Sequence, residues 1–285
     1  MQMLNTTSFY PGMAWAVVRF LAAEGKPTSK ETITTYLEPG QREAKKPGPV
    51  HHILNDLKSL GLTAEQDANW SLTGGLEKAS MDDYPRFQRA VRAAVLGVGG
   101  EVPDPPQDIR RALAWMLTRD PYTEAFNWPM IDKSYNSSAP DGELILTNDT
   151  RWTPLAVWGT ALGLLAPAAH VADHYVPDCT QAVRQVLSDG LERGRATDAM
   201  SVLHLLRREL PVLPGGTAAV AARYTHPDTK VAGAALSFAL ARGEYEGWLE
   251  LTQYSDASSV INIHDPDRAS ARICSSVTLL EGEDD

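Results

Sequence analysis

Cysteine is nearly absent, with two in 285 residues. Cys179 and Cys274 stand far apart, without metal-ligand spacing, and are too few for a disulfide framework. No apolar run approaches the roughly 18 residues that a membrane-crossing helix requires. The opening segment, Met1 to Tyr10, holds no basic region followed by an apolar core. No secretory leader is therefore expected, no membrane partner either, and a cytoplasmic location is the default. Catalytic motifs are missing too. Gly215-Gly216 lacks a following Gly-Lys-Ser/Thr, which excludes a phosphate loop. Gly97, Gly99 and Gly100 follow a helix rather than a strand, which excludes a dinucleotide fingerprint. There is no Gly-x-Ser-x-Gly nucleophile elbow.

An excess of basic charge is also lacking. The net charge is −10, and its distribution says more than its sum. Residues 1–80 carry eight Lys/Arg against eight Asp/Glu, residues 81–175 eight against twelve, and residues 176–285 ten against sixteen. Duplex affinity rests largely on basic groups that displace counterions from phosphates, so a general nucleic-acid coat is excluded. Any DNA contact is expected from a local patch in the N-terminal third. The acidic remainder suits protein partners.

What is present is an ordinary globular composition, 43% hydrophobic and 22% charged, able to bury a core. Helical periodicity dominates. A helix after Pro11 runs to Gly25, and Ser29 is placed to cap a second through Ile33, Tyr36 and Leu37. A third follows Pro47–Pro49, with Val50, Ile53, Leu54, Leu57 and Leu60 on one face. Later helices are expected over 83–98, around Leu113, from Thr150 as cap, over 199–210 and over 230–242.

One phrase recurs three times: a helix, a Gly-hydrophobic stop, then a short extended pair. The first copy runs from Val50 through Leu60-Gly61-Leu62 to Ala68–Thr73. The second runs from Trp152 through Leu162-Gly163-Leu164 to His174-Tyr175-Val176. The third runs from Ala234 through Glu246-Gly247-Trp248 to Val260–Ile263, with a further alternating strand from Ile273 to Leu280. This is the back half of a winged helix, where a recognition helix stops at Gly and a strand pair forms the wing. The expected fold is mainly α with small antiparallel β-wings, as tandem winged-helix units. The expected divisions are a winged helix over 1–80, a helical linker over 81–106, a winged-helix-like unit over 107–176, and another over 177–285 with an acidic tail.

The candidate nucleic-acid surface is Lys45, Lys46, His51, Asn55 and Lys58. The apolar face of the third helix turns His51, Asn55 and Lys58 to the outside, and a recognition helix presents such residues to base edges. The alternative is a plain solvated face, and Asp56 weighs against DNA. His170, Asp173 and His174 have the order of metal ligands but no further partners, so they are expected to be polar residues on the surface of the second wing. His264, Asp265, Asp267 and Arg268 beside Pro266 read as a turn. Trp15, Trp115 and Trp158 are expected in cores, and Trp70 and Trp248 as packing for the wings rather than stacking platforms. No catalytic residue, cofactor or metal is expected, and the chain is not expected to be an enzyme.

The run from Trp152 through Leu162-Gly163-Leu164 to Val176-Pro177-Asp178-Cys179-Thr180, with Glu246-Gly247-Trp248 leading to Ser255-Asp256-Ala257, resembles the DpdG family. Members are accessory proteins of bacterial Dpd clusters, which are associated with 7-deazaguanine DNA modification and restriction. The resemblance implies a non-catalytic part of a multi-protein DNA-modification or phage-defence system, and it carries over no catalytic residue. Together these readings lead to an adaptor that touches duplex DNA through its first unit and other proteins through its later ones. The alternatives are a protein–protein scaffold without DNA binding, and a dimeric transcriptional regulator.

Overall fold

A computed structural model describes residues 2–5, 9–41, 48–100, 102–139, 145–224, 228–257 and 259–280. Helices predominate, joined by four small antiparallel sheets among the described residues. No described helix is long and apolar enough to cross a membrane. The chain divides into two compact units. The first comprises 1–109 and 153–162, and the second 110–152 and 163–285. Residues 81–106, expected as a linker, belong to the first.

The first unit begins with α1 (Pro11–Glu24), which has Pro at its first turn, where no N–H is required, and stops at Gly25. Strand β1 (Thr28–Ser29) leads directly into α2 (Lys30–Leu37). Ser29 caps α2 as expected, its side chain accepting from the Thr32 N–H at 3.2 Å. Then come α3 (Pro49–Ser59), β2 (Thr63–Gln66) and β3 (Asn69–Leu72). The strands pair in the order β1-β3-β2. Val17, Val18, Leu21, Ile33, Ile53, Leu54 and Leu57 fill the core between helices and sheet. Next is α4 (Tyr84–Leu96), capped by Asp83, whose carboxylate accepts from the Arg86 N–H at 3.0 Å.

The second unit carries most of α5 (Gln107–Met116), then α6 (Trp128–Ser138), capped by Asn127. Trp115 packs edge-on against Phe126 and Tyr135. Next in the chain is α7 (Asp149–Ala161), whose first turn belongs to this unit and whose remainder, from Thr153, belongs to the first. Its cap is Asn148, the side-chain oxygen accepting from the Arg151 N–H at 3.1 Å, and not the expected Thr150. A two-stranded sheet follows, β4 (Ala166–Pro167) with β5 (Tyr175–Val176). The chain continues through α8 (Thr180–Gly190), β6 (Ala196–Asp198), α9 (Ala199–Glu209), α10 (Thr217–Ala221), α11 (Ala234–Tyr245) and β7 (Leu249–Thr252). It ends on β8 (Ile261–Ile263), β9 (Arg272–Cys274) and β10 (Ser276–Leu279).

One order of elements occurs three times. In the first stretch it is α1-β1-α2-α3-β2-β3, with the last strand between the other two. From α8 it is helix α8, strand β6, helices α9 and α11, then β7 and β10, again with the last strand in the middle of the order β6-β10-β7. In the middle stretch Phe126 takes the first strand's place as a single antiparallel bridge to Tyr175, and β5 pairs β4 on its other side. The third sequence phrase needs a correction. Val260–Ile263 is not the returning strand: Ile261–Ile263 pairs with β9 as a hairpin inserted between β7 and its true partner β10. A segment's alternation shows that it is a strand but not which strand it joins.

The glycines of the three stops share one conformation, with φ of 69° at Gly61, 73° at Gly163 and 78° at Gly247. That left-handed turn is what glycine enters without a Cβ clash, and it ends the helix. In two copies the residue after glycine donates back to the carbonyl five positions earlier, Leu62 to Leu57 and Trp248 to Gly243.

Candidate nucleic-acid interface

The helix α3 is built by its apolar spacing. Val50, Ile53, Leu54 and Leu57 are buried, so residues between them must face outward. His51, Asn55 and Lys58 follow one another along that outer side at helical spacing. The Asn55 side-chain nitrogen lies 3.4 Å from His51 Nε2, and Lys30 Nζ of α2 lies 3.4 Å from His51 Nδ1. Lys58 pairs with Glu65 of β2 at 3.0 Å, and its ammonium sits 5.5 Å above the Trp70 ring. Lys45 and Lys46 lie outside the described residues.

The electrostatics of this face are mixed. Burial, then the Lys30 and His52 charges, hold the His51 imidazole below its ordinary value of 6.5, which favours the neutral ring. Burial raises the Asp56 carboxyl above its ordinary value. The start of α3 is already satisfied. Gly48 at the N-cap has no side chain to offer, and buried Glu38 reaches in instead, its Oε1 accepting from the Val50 N–H at 2.6 Å. A Cβ at residue 48 would meet that carboxylate, so a larger residue there would have to push the Glu38 side chain aside. Glu38 thus occupies the place at the helix N-terminus where a phosphate would otherwise bind. The second Glu38 oxygen and the Trp70 Nε1 are buried without a hydrogen-bond partner among the described residues.

The corresponding helices of the other two stretches each have part of their outer side packed against residues distant in sequence, although Arg242 and Tyr245 of α11 remain exposed. Within the first unit α7 is packed from outside: Trp158 donates to the Phe9 carbonyl at 2.9 Å and stacks on that ring at 4.9 Å. Gln88 and Arg92 of α4 donate to the Ala161 and Leu162 carbonyls at its C-terminal end. On α11 the outward Phe238 is covered by Tyr122, ring centroids 5.1 Å apart.

The other sequence candidates fall as follows. Among the described residues no group of three or more His, Cys, Asp or Glu is placed to hold a metal ion. His170, Asp173 and His174 lie in the loop between β4 and β5, and His174 Nδ1 is 2.7 Å from the Ala172 carbonyl. His264 pairs not with its sequence neighbours but with Asp120, at 3.3 Å. Both cysteines are buried, and burial pushes both thiols up, so neither is an activated nucleophile. Trp70 and Trp248 are 2% and 4% exposed, too buried to stack on a base. Trp15, expected in a core, is only half-buried, against Tyr84 and Phe87. Two residues of this interface escaped sequence reading, Lys30 and Glu38. Both reach α3 through the packing of α2 against it, which no local pattern announces.

These observations define a mixed α/β protein in which helices alternate with small antiparallel sheets, and α3 carries an outward polar face. The sequence profile of the DpdG-like family matches residues 1–257, and the chain belongs to that family. No curated protein and no solved structure matches.

Proposed function

We propose that this chain is a non-catalytic adaptor built of tandem winged helices, serving a bacterial Dpd-type DNA-modification or defence system. The α3 face contacts duplex DNA, and the acidic later stretches dock proteins of the same assembly. Family membership supports the accessory role. The winged-helix reading rests on the thrice-repeated order of helix, strand, two helices and two strands, with the last strand in the middle.

The observation that carries the DNA reading is the difference between the three equivalent helices. Part of α7 and the Phe238 position of α11 are packed against their own chain, whereas α3 keeps His51, Asn55 and Lys58 outside, joined by Lys30. In this reading Lys30 and Lys58 meet phosphates, and Asn55 faces a base edge, where an amide reads adenine in the major groove. Lys58 gives up Glu65 for a phosphate, at little cost, because an exposed pair contributes about 0–1 kcal/mol.

A duplex titration at stepped salt concentrations tests this. Binding should weaken as salt rises, and Lys30→Glu with Lys58→Glu should abolish it while the fold persists. No binding at low salt would refute the DNA contact and favour a pure scaffold. That second reading draws on the Lys58–Glu65 pair and on Glu38 at the start of α3, both of which oppose phosphate. Two-fold-specific binding by a dimer would instead favour a regulator.

A further inference from the structure

The second unit contains a cavity of about 590 Å³ beside the first turn of α11. That volume lies in the range of small-molecule sites, about 300–1,000 Å³, and its lining is mostly apolar. Pro214, Val231 and Ala234 form one wall. The polar groups that line the rest sort into two kinds.

The carboxylates are already committed. Asp120 accepts from the Tyr122 N–H at 2.9 Å and faces His264 Nε2 at 3.3 Å. Asp265 accepts from the Asp267 N–H at 3.1 Å and pairs with Arg268 Nε at 3.0 Å. Each carboxylate therefore serves to hold a donor at the rim. The donors keep spare capacity. Only Nε of Arg268 is engaged among the described residues, which leaves both terminal nitrogens of its guanidinium fork. Gly233, the N-cap of α11, supplies no side-chain cap to that helix's first turn, and Gly233 and Ala234 line the cavity. A guanidinium fork, a helix start without a side-chain cap and apolar surface line the same cavity, which matches a ligand that is negative at one end and apolar at the other.

We propose that this cavity binds a small organic anion, a carboxylate or phosphate head carried on an apolar body. The head lies between Arg268 and the first turn of α11, and the body lies against Pro214 and Val231. None of these residues belongs to the α3 face, so the outcome is independent of the DNA titration.

Calorimetric titration of the full chain with phenyl phosphate, benzoate, inorganic phosphate and benzyl alcohol tests the proposal. At least one of the two aromatic anions should bind at or below roughly millimolar concentration. Whichever binds more tightly identifies the head group as phosphate or carboxylate. Inorganic phosphate should bind more weakly, for lack of a body, and benzyl alcohol not at all, for lack of charge. Arg268→Gln, at an exposed position whose loss should leave the fold intact by circular dichroism, should weaken the anion by about tenfold or more. As a second variant, Ala234→Trp should fill the cavity and block binding. Absence of heat with both aromatic anions overturns the proposal. So does a neutral ligand binding equally well, inorganic phosphate matching the aromatic anion, or undiminished binding by folded Arg268→Gln.

Discussion

Asp67 and Ala68 sit at the tip of the first hairpin with φ of 51° and 62°. Gln66 pairs with Asn69 across them, so the turn has two residues, both left-handed. Asp tolerates that region, whereas the Cβ of alanine meets the carbonyl oxygen there at a cost of about 1–2 kcal/mol. Ala68→Gly should therefore stabilise the chain by up to about 1 kcal/mol, after the entropy that glycine adds to the unfolded state. A lower urea midpoint for the variant would contradict this. His51 makes a second prediction at this scale. Its folded value lies below the ordinary 6.5, because of burial first and then Lys30 and His52. As pH falls through 6.5 the unfolded chain takes the proton first, so this residue's contribution to stability is complete above that pH and declines below it. A bound phosphate favours the imidazolium. DNA affinity should accordingly rise as pH is lowered from about 7.5 to 6, and His51→Ala should flatten that profile.

At the scale of the element, helix ends explain more than helix middles. Ser29, Asp83, Asn127 and Asp198 each accept a backbone N–H from the first turn that follows. Most of these residue types are readable as caps from sequence, and Ser29 was read correctly. Asn148 was not, because Thr150 two residues on is also a capping type and only the backbone decides between them. At the other end of α7, Gln88 donates to the Ala161 carbonyl, and Arg92, which is 5% exposed, donates to the Leu162 carbonyl just past the helix at 3.2 Å. A buried cation at a helix C-terminus satisfies groups that would otherwise lack partners. Arg92→Met keeps the bulk and removes the donors, and should cost about 1–3 kcal/mol in urea unfolding. An unchanged midpoint would show that this bond contributes nothing. The hairpin β8–β9 marks where element reading failed. Its residues alternate as a strand should, but the pairing of Ile261 with Cys274 is set by contacts distant in sequence.

For the whole molecule the governing quantity is charge. With a net −10, the chain repels DNA everywhere except at local basic positions. A contact limited to α3 and its neighbours neutralises few phosphates. The logarithm of affinity should then fall with the logarithm of salt at a slope no steeper than about −4, roughly 0.9 for each phosphate neutralised. A slope near −8 would mean a far larger surface than α3 offers. The repeated element order was legible in sequence as three copies of a helix, a glycine stop and a strand pair. The first strand of each copy was not legible. It has two residues in β1 and three in β6, and is reduced to a bridge at Phe126, too short for any alternation to register.

The amino-acid sequence by itself determined the helices, their apolar faces and the glycine stops. These follow from side-chain spacing and from backbone conformations that glycine enters without penalty. The tertiary structure alone decided which outward face stays open. Phe9, Arg92 and Tyr122 pack on the later helices from positions far along the chain, and Glu38 and Lys30 reshape the start and flank of α3. Those are long-range packing events, and a local pattern carries no record of them.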